Sequence, residues 1–288
     1  MATLTLSNVT LALNPIDREE MEANTVYLDG AVRGTVIDME RRSFSFDHHG
    51  EGMRFDRMCA ALQTVGAILQ GLPLNEIAKV VVSSVDADSV LATLAVLHPE
   101  VCQDLRFVRL IQDLNRVDVW GPAALVPGEP LAAFHFSLRQ GRGEELSTEL
   151  LHSKVEKAWE MYQDGSLFEE AEERKLPGRA VALSPSGEIL SDITRVGENE
   201  GVSFEEVYSV SGFGIIFGFE GPVENGVTKV TIGKKPFVNV PDLNGFWAYM
   251  NTLEPGWGGA DSIGGSPFKK GTRFSHDEVL EHLRTWLG

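Results

Sequence analysis

Residues 79–100 read KVVVSSVDADSVLATLAVLHPE, and this stretch decides the fold. It opens with Lys79-Val80-Val81-Val82, a β-branched run suited to a strand buried on both faces. A turn follows that carries Asp86 and Asp88. Small and apolar residues then run at helical spacing to His98-Pro99, where proline stops a helix. Strand, acidic turn and helix make one βα unit.

Working outward, TVYLDG (25–30) reads as a strand ending in Asp29 and Gly30. SFSFDHHG (43–50) reads as another, with Phe44 and Phe46 on one face and Asp47, His48 and His49 where it stops. FDRMCAALQTVGAILQG (55–71) has a helical stripe of Met58, Leu62, Val65 and Leu69, closed by Gly71. RFVRLIQDLNRVDVWGP (106–122) opens like a further strand or short helix. Strands alternating with helices predict an α/β protein with a doubly wound, mainly parallel sheet. Ligands of such sheets bind beyond the carboxyl ends of the strands. Asp29, Asp47 and the pair Asp86 and Asp88 all fall at such ends.

Residues 143–175 turn polar and helical, with Leu146, Leu150, Val155 and Trp159 as an apolar stripe before Pro177-Gly178. The last third carries strand signals in AVALS, GIIFGF and TKVTIG, then a helix in NGFWAYMNTL. This predicts a first domain over 1–142, a connector helix over 143–177, and a second, smaller mixed α/β domain over 178–288.

The chain has 288 residues, with 25 Lys plus Arg against 42 Asp plus Glu, a net charge of −17. That excess argues against binding long nucleic acid, which needs a cationic surface. A small anionic substrate stays compatible, because bound cations reverse the field inside one pocket. Two cysteines, Cys59 and Cys102, fit a reducing cytoplasm and give no cysteine-rich zinc pattern. The expectation is a cytoplasmic protein with no secretory leader and no membrane span. A homodimer is the assembly considered.

Asp and His together suit Mn²⁺ or Mg²⁺, and less exclusively Zn²⁺ or Fe²⁺. Two such cations about 4 Å apart can clamp a phosphoryl group for in-line attack. In the Asp86-x-Asp88 turn, helix capping alone explains one acid, not both.

FDHHG (46–50) resembles the signature of the DHH phosphoesterase superfamily. DADSVLATLAV (86–96) is similar to that family's first motif, VYLDG (26–30) to its second, and NRVDVWG (115–121) to its fourth through Asp118, with Asp113 as the rival. EPGWGGADSIGGSPFKKGTR (254–273) is similar to the glycine-rich loop of the DHH-associated C-terminal domain. The resemblance implies a divalent-metal-dependent phosphoesterase acting on a small phosphoester or phosphoanhydride, such as a nucleotide or short oligonucleotide, across an interdomain cleft.

It implies two Mn²⁺ or Mg²⁺ ions held by Asp29, Asp47, His48, Asp86, Asp88 and Asp118, with Asp29 bridging. Asp47 would be a ligand or would orient a neighbouring imidazole. His49 would contact the scissile phosphate or protonate the leaving oxygen. Gly258, Gly259, Gly264, Gly265, Lys269 and Arg273 would hold the rest of the substrate, with Trp257 able to stack on a base.

The sequence departs from the family pattern in three places. The Asp-x-Asp motif follows the DHH segment instead of preceding it. Ser83 and Ser84 stand where a His or Asp is usual. Ala260 and Asp261 stand where the glycine run usually holds a His. An alternative alignment makes SSVDADS the fourth motif and implies a one-metal or inactive site. A catalytically idle relative that binds a nucleotide or metal, as a sensor or subunit, is the reading from another functional class. His98, His135, His152, His276 and His282 are isolated, and His135, in AAFHFSLRQ, reads as a strand histidine.

Overall fold

The structure is a computed structural model and describes residues 4–49, 58–120, 124–126, 128–138, 145–170, 179–182, 189–194, 215–220, 228–234, 242–260, 263–267 and 270–287. The chain divides into two units, Met1–Glu172 and Glu173–Gly288.

The first unit is built on five strands: β1 (Val9–Leu11), β2 (Thr25–Leu28), β3 (Val36–Asp38), β4 (Ser43–Phe46) and β5 (Lys79–Val82). Their order in the sheet is β1-β5-β2-β4-β3. All neighbours are parallel except β3, an antiparallel edge strand on β4. β2 and β4 are buried along their whole length, as the two-sided cover of a parallel sheet requires.

Alternation along the strands sorts the side chains into two layers. Val26, Leu28, Phe44, Phe46, Val80 and Val82 enter the main core, under α1 (Ala60–Leu69), α2 (Ala87–Leu97) and α5 (Thr148–Asp164). Tyr27 and Val81 face the other way and meet Met21, Ala31 and Val32 from the loops beside the sheet. Two more helices complete the unit, α3 (Leu105–Trp120) and α4 (Pro130–Ser137).

Register decides where the site falls. Leu28 lies opposite Phe46 on one side and Val82 on the other. The three strands therefore end level, and the next residues, Asp29, Asp47 and Ser83, emerge along one rim. The Asp29 N–H donates to the Phe46 carbonyl at 2.9 Å and ties two of these ends together.

Several local expectations change. Residues 106–122 open neither a strand nor a short helix; Leu105–Trp120 is a helix of 16 residues. His135 sits on a helix, Pro130–Ser137, not a strand. Met58 and Leu69 are exposed, while Val65 of the expected stripe is buried and Leu62 packs on the core; α1 also buries Ala60, Ala61 and Thr64, small residues that let its first turn approach α2 closely. The stripe of α5 holds in part, with Leu150, Val155 and Trp159 packed on the first unit's core. Leu146 lies before the helix and is 42% exposed, while Leu151, Val155 and Ala158 are buried in the first unit's core. The helix expected to be a connector thus packs onto the first unit, capped at its start by Ser147.

The second unit holds a six-stranded mixed sheet, Gly258–Gly259, Ile263–Gly265, Lys229–Lys234, Ile215–Glu220, Ile189–Thr194 and Arg179–Ala182 in spatial order. Only the Ile189–Thr194 and Ile215–Glu220 pair is parallel. The helices Leu243–Leu253 and His276–Leu287 supply most of its own core, around Phe246, Met250 and Leu283. Among the described residues, no helix is long and apolar enough to cross a membrane.

Candidate metal centre

The rim formed by β5, β2 and β4 carries the chemistry. Its three strands stand side by side, so the order of the motifs along the chain does not disturb their order in space. Asp29 and Gly30 turn the chain away from β2 with φ of 52° and 85°. A left-handed backbone is unusual for aspartate, and strain of this kind is held in place by surrounding contacts. Gly30 also has no room for a side chain that leaves its neighbours undisturbed. A Cβ there would lie 3.3 Å from both His49 Nδ1 and Ser83 Oγ.

Two groups of donors converge, each with ligand atoms within 4.8 Å of one another: Asp29, His48 and His49, and His48, Asp88 and Asp118. His48 belongs to both. Its Nδ1 lies 2.7 Å from Asp118 Oδ2, and its Nε2 lies 3.5 Å from Asp29 Oδ1. The 2.7 Å contact lacks the alignment of a hydrogen bond, and both atoms are buried without another hydrogen-bonding partner. At 2.7 Å the two atoms form an ion pair when His48 is protonated, and a divalent ion could take the place of that proton. An imidazole nitrogen and carboxylate oxygens are the donors a divalent ion would accept there. The residues present therefore fit such an ion.

Asp47 and His49 form a separate pair. Asp47 Oδ1 accepts from His49 Nδ1 and from the His49 backbone N–H, both at 2.9 Å, and Oδ2 accepts from the Gly34 N–H at 2.5 Å. Burial alone would raise this carboxyl, but the His49 and Gly34 hydrogen bonds outweigh it and hold it down at about 2. Asp47 is therefore a carboxylate anchor for an imidazole, and it stands outside both donor groups. The His49 side chain is 44% exposed, while that of His48 is buried.

The acid pair on β5–α2 is used twice over. Asp86 caps α2 by accepting the Ser89 N–H at 3.0 Å. Asp88 reaches across to α1, where its two oxygens accept the N–H groups of Ala60 and Ala61 at 2.8 and 2.7 Å. Capping therefore explains both acids, contrary to the expectation that it explains one. A helix N-terminus favours a negative charge, so α1 presents its positive end to Asp88. Asp88 remains within the donor group of His48 and Asp118; Asp86 does not.

Serines account for the rest of Asp29. Ser89 Oγ donates to Asp29 Oδ2 at 2.7 Å, and Ser84 Oγ lies 2.8 Å from both Asp29 Oδ2 and Asp86 Oδ2. Ser83 Oγ donates to the Asp29 carbonyl. In the sequence Ser83 and Ser84 stand only where a ligand is missing; a serine-rich turn beside an acid is the signal for these bonds.

Charge crowding sets the titration of the cluster. Asp86 keeps an exposed side chain at the rim, yet the protein atoms crowded around it and the charge of Asp29 raise it to about 6, against the Ser89 N–H and the Ser84 hydroxyl. Burial and the charges of Asp29, Asp118 and Asp86 push Asp88 well above the usual carboxylate range. Burial disfavours charge on His48, but Asp118 and Asp29 prevail and carry it up to about 10. Asp29 is lowered: burial opposes its charge, but His48, His49, Ser89 and Ser84 overcome it. A pocket with four carboxylates and a cationic imidazole has an appetite for positive charge.

No protein-family model matches the chain. No curated protein matches it. Among solved structures, the pGpG-specific phosphodiesterase PggH from Vibrio cholerae is similar over 93% of this chain and 99% of its own, at a TM-score of 0.39 and 12% identity. The likeness is loose, and the reading of the site rests on its own geometry.

The substrate-binding residues expected from the glycine run lie in the second unit. Gly258 pairs with Gly265 and Gly259 with Gly264, so the run is a short antiparallel hairpin. A Cβ on Gly264 would lie 2.7 Å from Trp247 Cζ2, and one on Gly265 would collide with the Val230 carbonyl. Close packing accounts for both glycines. Arg273 is turned to Glu254 and the Leu253 carbonyl. Trp257 is buried in the unit's core, with Nε1 donating to Glu254 at 2.9 Å, so it is no stacking platform. Lys269 lies outside the described residues.

Proposed function

We propose that this protein is a divalent-metal-dependent phosphohydrolase of the DHH phosphoesterase type, acting on a small phosphoester or phosphoanhydride such as a nucleotide or short oligonucleotide. One observation carries the reading. A donor group of buried His48 and Asp88 with half-buried Asp118 stands beside an accessible imidazole, His49, that a charged carboxylate holds by its Nδ1.

His48, Asp88 and Asp118, with Asp29 beside them, would hold Mn²⁺ or Mg²⁺. Such an ion supplies charge neutralisation at a phosphoryl group and lowers the pKa of bound water. The chain's own part in this reading rests on Asp47 and His49. Asp47 takes the Nδ1–H of His49, which fixes the tautomer, so Nε2 is the ring nitrogen that would meet the substrate. A protonated Nε2 can pass its proton to the leaving oxygen, while Asp47 stabilises the imidazolium. The Gly34 N–H keeps Asp47 from turning away. The rigid ends of β2 and β4 hold these groups at fixed separation, and fixed separation is the source of proximity catalysis. Buried free thiols at Cys59 and Cys102 suit the cytoplasm.

The test is a small substrate panel, containing a linear dinucleotide, pyrophosphate and a nitrophenyl phosphodiester, incubated with Mn²⁺ or with chelator. Product from at least one substrate with Mn²⁺, and none with chelator, is expected. Thermal stabilisation by nucleotide with no product anywhere in the panel would assign the chain to the idle binders instead.

A further inference from the structure

The two donor groups share His48, and one neutral imidazole cannot serve both. It has a single in-plane lone pair, and its other nitrogen carries a proton. In the group of Asp29, the second imidazole has one of its two nitrogens committed, since His49 Nδ1 is hydrogen-bonded to Asp47 at 2.9 Å. Asp29 is itself tied down. Its Oδ2 accepts the Ser89 hydroxyl at 2.7 Å and faces Ser84 at 2.8 Å. Its backbone is pinned by the N–H donated to Phe46 and the carbonyl bonded by Ser83. The oxygen that remains, Oδ1, is the one facing His48 Nε2 at 3.5 Å.

The other side of His48 differs in kind. Nδ1 and Asp118 Oδ2 are buried and lack any aligned hydrogen bond. Metal-bound histidines commonly donate their distal N–H to a carboxylate that fixes the ring, and Asp29 is placed to be that carboxylate. The space between Asp29 and Asp86 is bridged by the Ser84 hydroxyl, 2.8 Å from each. A second cation between these acids would have to displace it.

We propose that the centre holds one divalent cation, on His48 Nδ1, Asp88 and Asp118, and that Asp29 is a positioning residue for His48, fixed by Ser84 and Ser89, not a bridging ligand. This deepens the metal-centre reading above and rests on it.

The experiment is calorimetric titration of Mn²⁺ into the metal-stripped full chain, with circular dichroism to confirm folding. Wild type is expected to bind one equivalent. Asp29→Asn keeps an acceptor for Nε2–H and keeps one equivalent, within about tenfold of the wild-type affinity. Asp29→Ala leaves one equivalent weakened about 10- to 100-fold, the usual cost of losing such a support. Asp118→Asn, at a partly exposed position, loses saturable binding, as does Asp88→Asn. Two equivalents in wild type, or an Asp29→Asn protein as deficient as Asp118→Asn, would overturn the proposal while leaving a metal centre in place. No saturable binding by folded wild type would overturn this proposal and the metal-centre reading together.

Discussion

At the scale of single residues, two histidines adjacent in sequence have been given opposite environments. His48 is buried between carboxylates, and His49 stands half in solvent on the Asp47 carboxylate. Their roles should separate in the same way. His49→Ala is expected to leave Mn²⁺ affinity unchanged and to lower kcat by about 10²- to 10⁴-fold, the usual worth of a positioned acid; steady-state kinetics alongside the titration checks both halves. The pH dependence follows from His48. Its pKa rises from about 6.5 unfolded to about 10 folded, so the metal-free protein carries it protonated at neutral pH. The stability it confers is complete below about 6.5 and is lost as pH rises through 10. A cation on Nδ1 must expel that proton, so affinity should climb about tenfold per pH unit between roughly 6.5 and 9. Titrations in buffers of different ionisation enthalpy would count the released proton. The convergence of Asp29, His48, His49 and Asp88 was legible in the chain because acids and imidazoles stood at the ends of neighbouring strands. The bonds of Ser84, Ser89 and Gly34 were not, since a hydroxyl or an N–H becomes specific only when the fold supplies its partner.

At the scale of elements, the strand–turn–helix unit at 79–100 was readable from pattern alone, and β2 and β4 from their endings. The failures share one cause. Residues 106–120 and 130–137 mix β-favouring and helical residues, and tertiary packing, not propensity, made them helices. The face of α1 gains Ala60 and Ala61 because Asp88 draws the start of that helix inward, while Met58 and Leu146, which precede their helices, stay exposed. The turn after β2 is the most constrained element. Gly30→Ala adds a left-handed alanine and a Cβ at 3.3 Å from the His49 ring. A destabilisation of about 1–2 kcal/mol is expected, read by chemical denaturation, together with loss of activity beyond the loss of folded protein. An unchanged midpoint would show that the turn relaxes freely.

At the scale of the whole molecule, the two units have separate cores. One is gathered around Val26, Phe44 and Leu91, the other around Phe246, Met250 and Leu283. Every donor of the centre belongs to Met1–Glu172. A fragment ending at residue 172 is therefore expected to fold and to bind Mn²⁺ as the full chain does; an unfolded fragment by circular dichroism would show that the first core is insufficient alone. The α/β class and the presence of a second mixed unit were visible in the alternation of patterns. The glycine hairpin was visible only as glycine, because the close approach of Trp247 and Val230 is written in another part of the chain.

The account as a whole turns on whether the buried His48 group powers hydrolysis. The most direct measurement is the rate of cleavage of a phosphodiester by full-length wild type and by His48→Ala, each with saturating Mn²⁺ and with chelator. The account predicts turnover in wild type with Mn²⁺ alone, and none in the other three samples. Equal rates in wild type and a folded His48→Ala protein would contradict it.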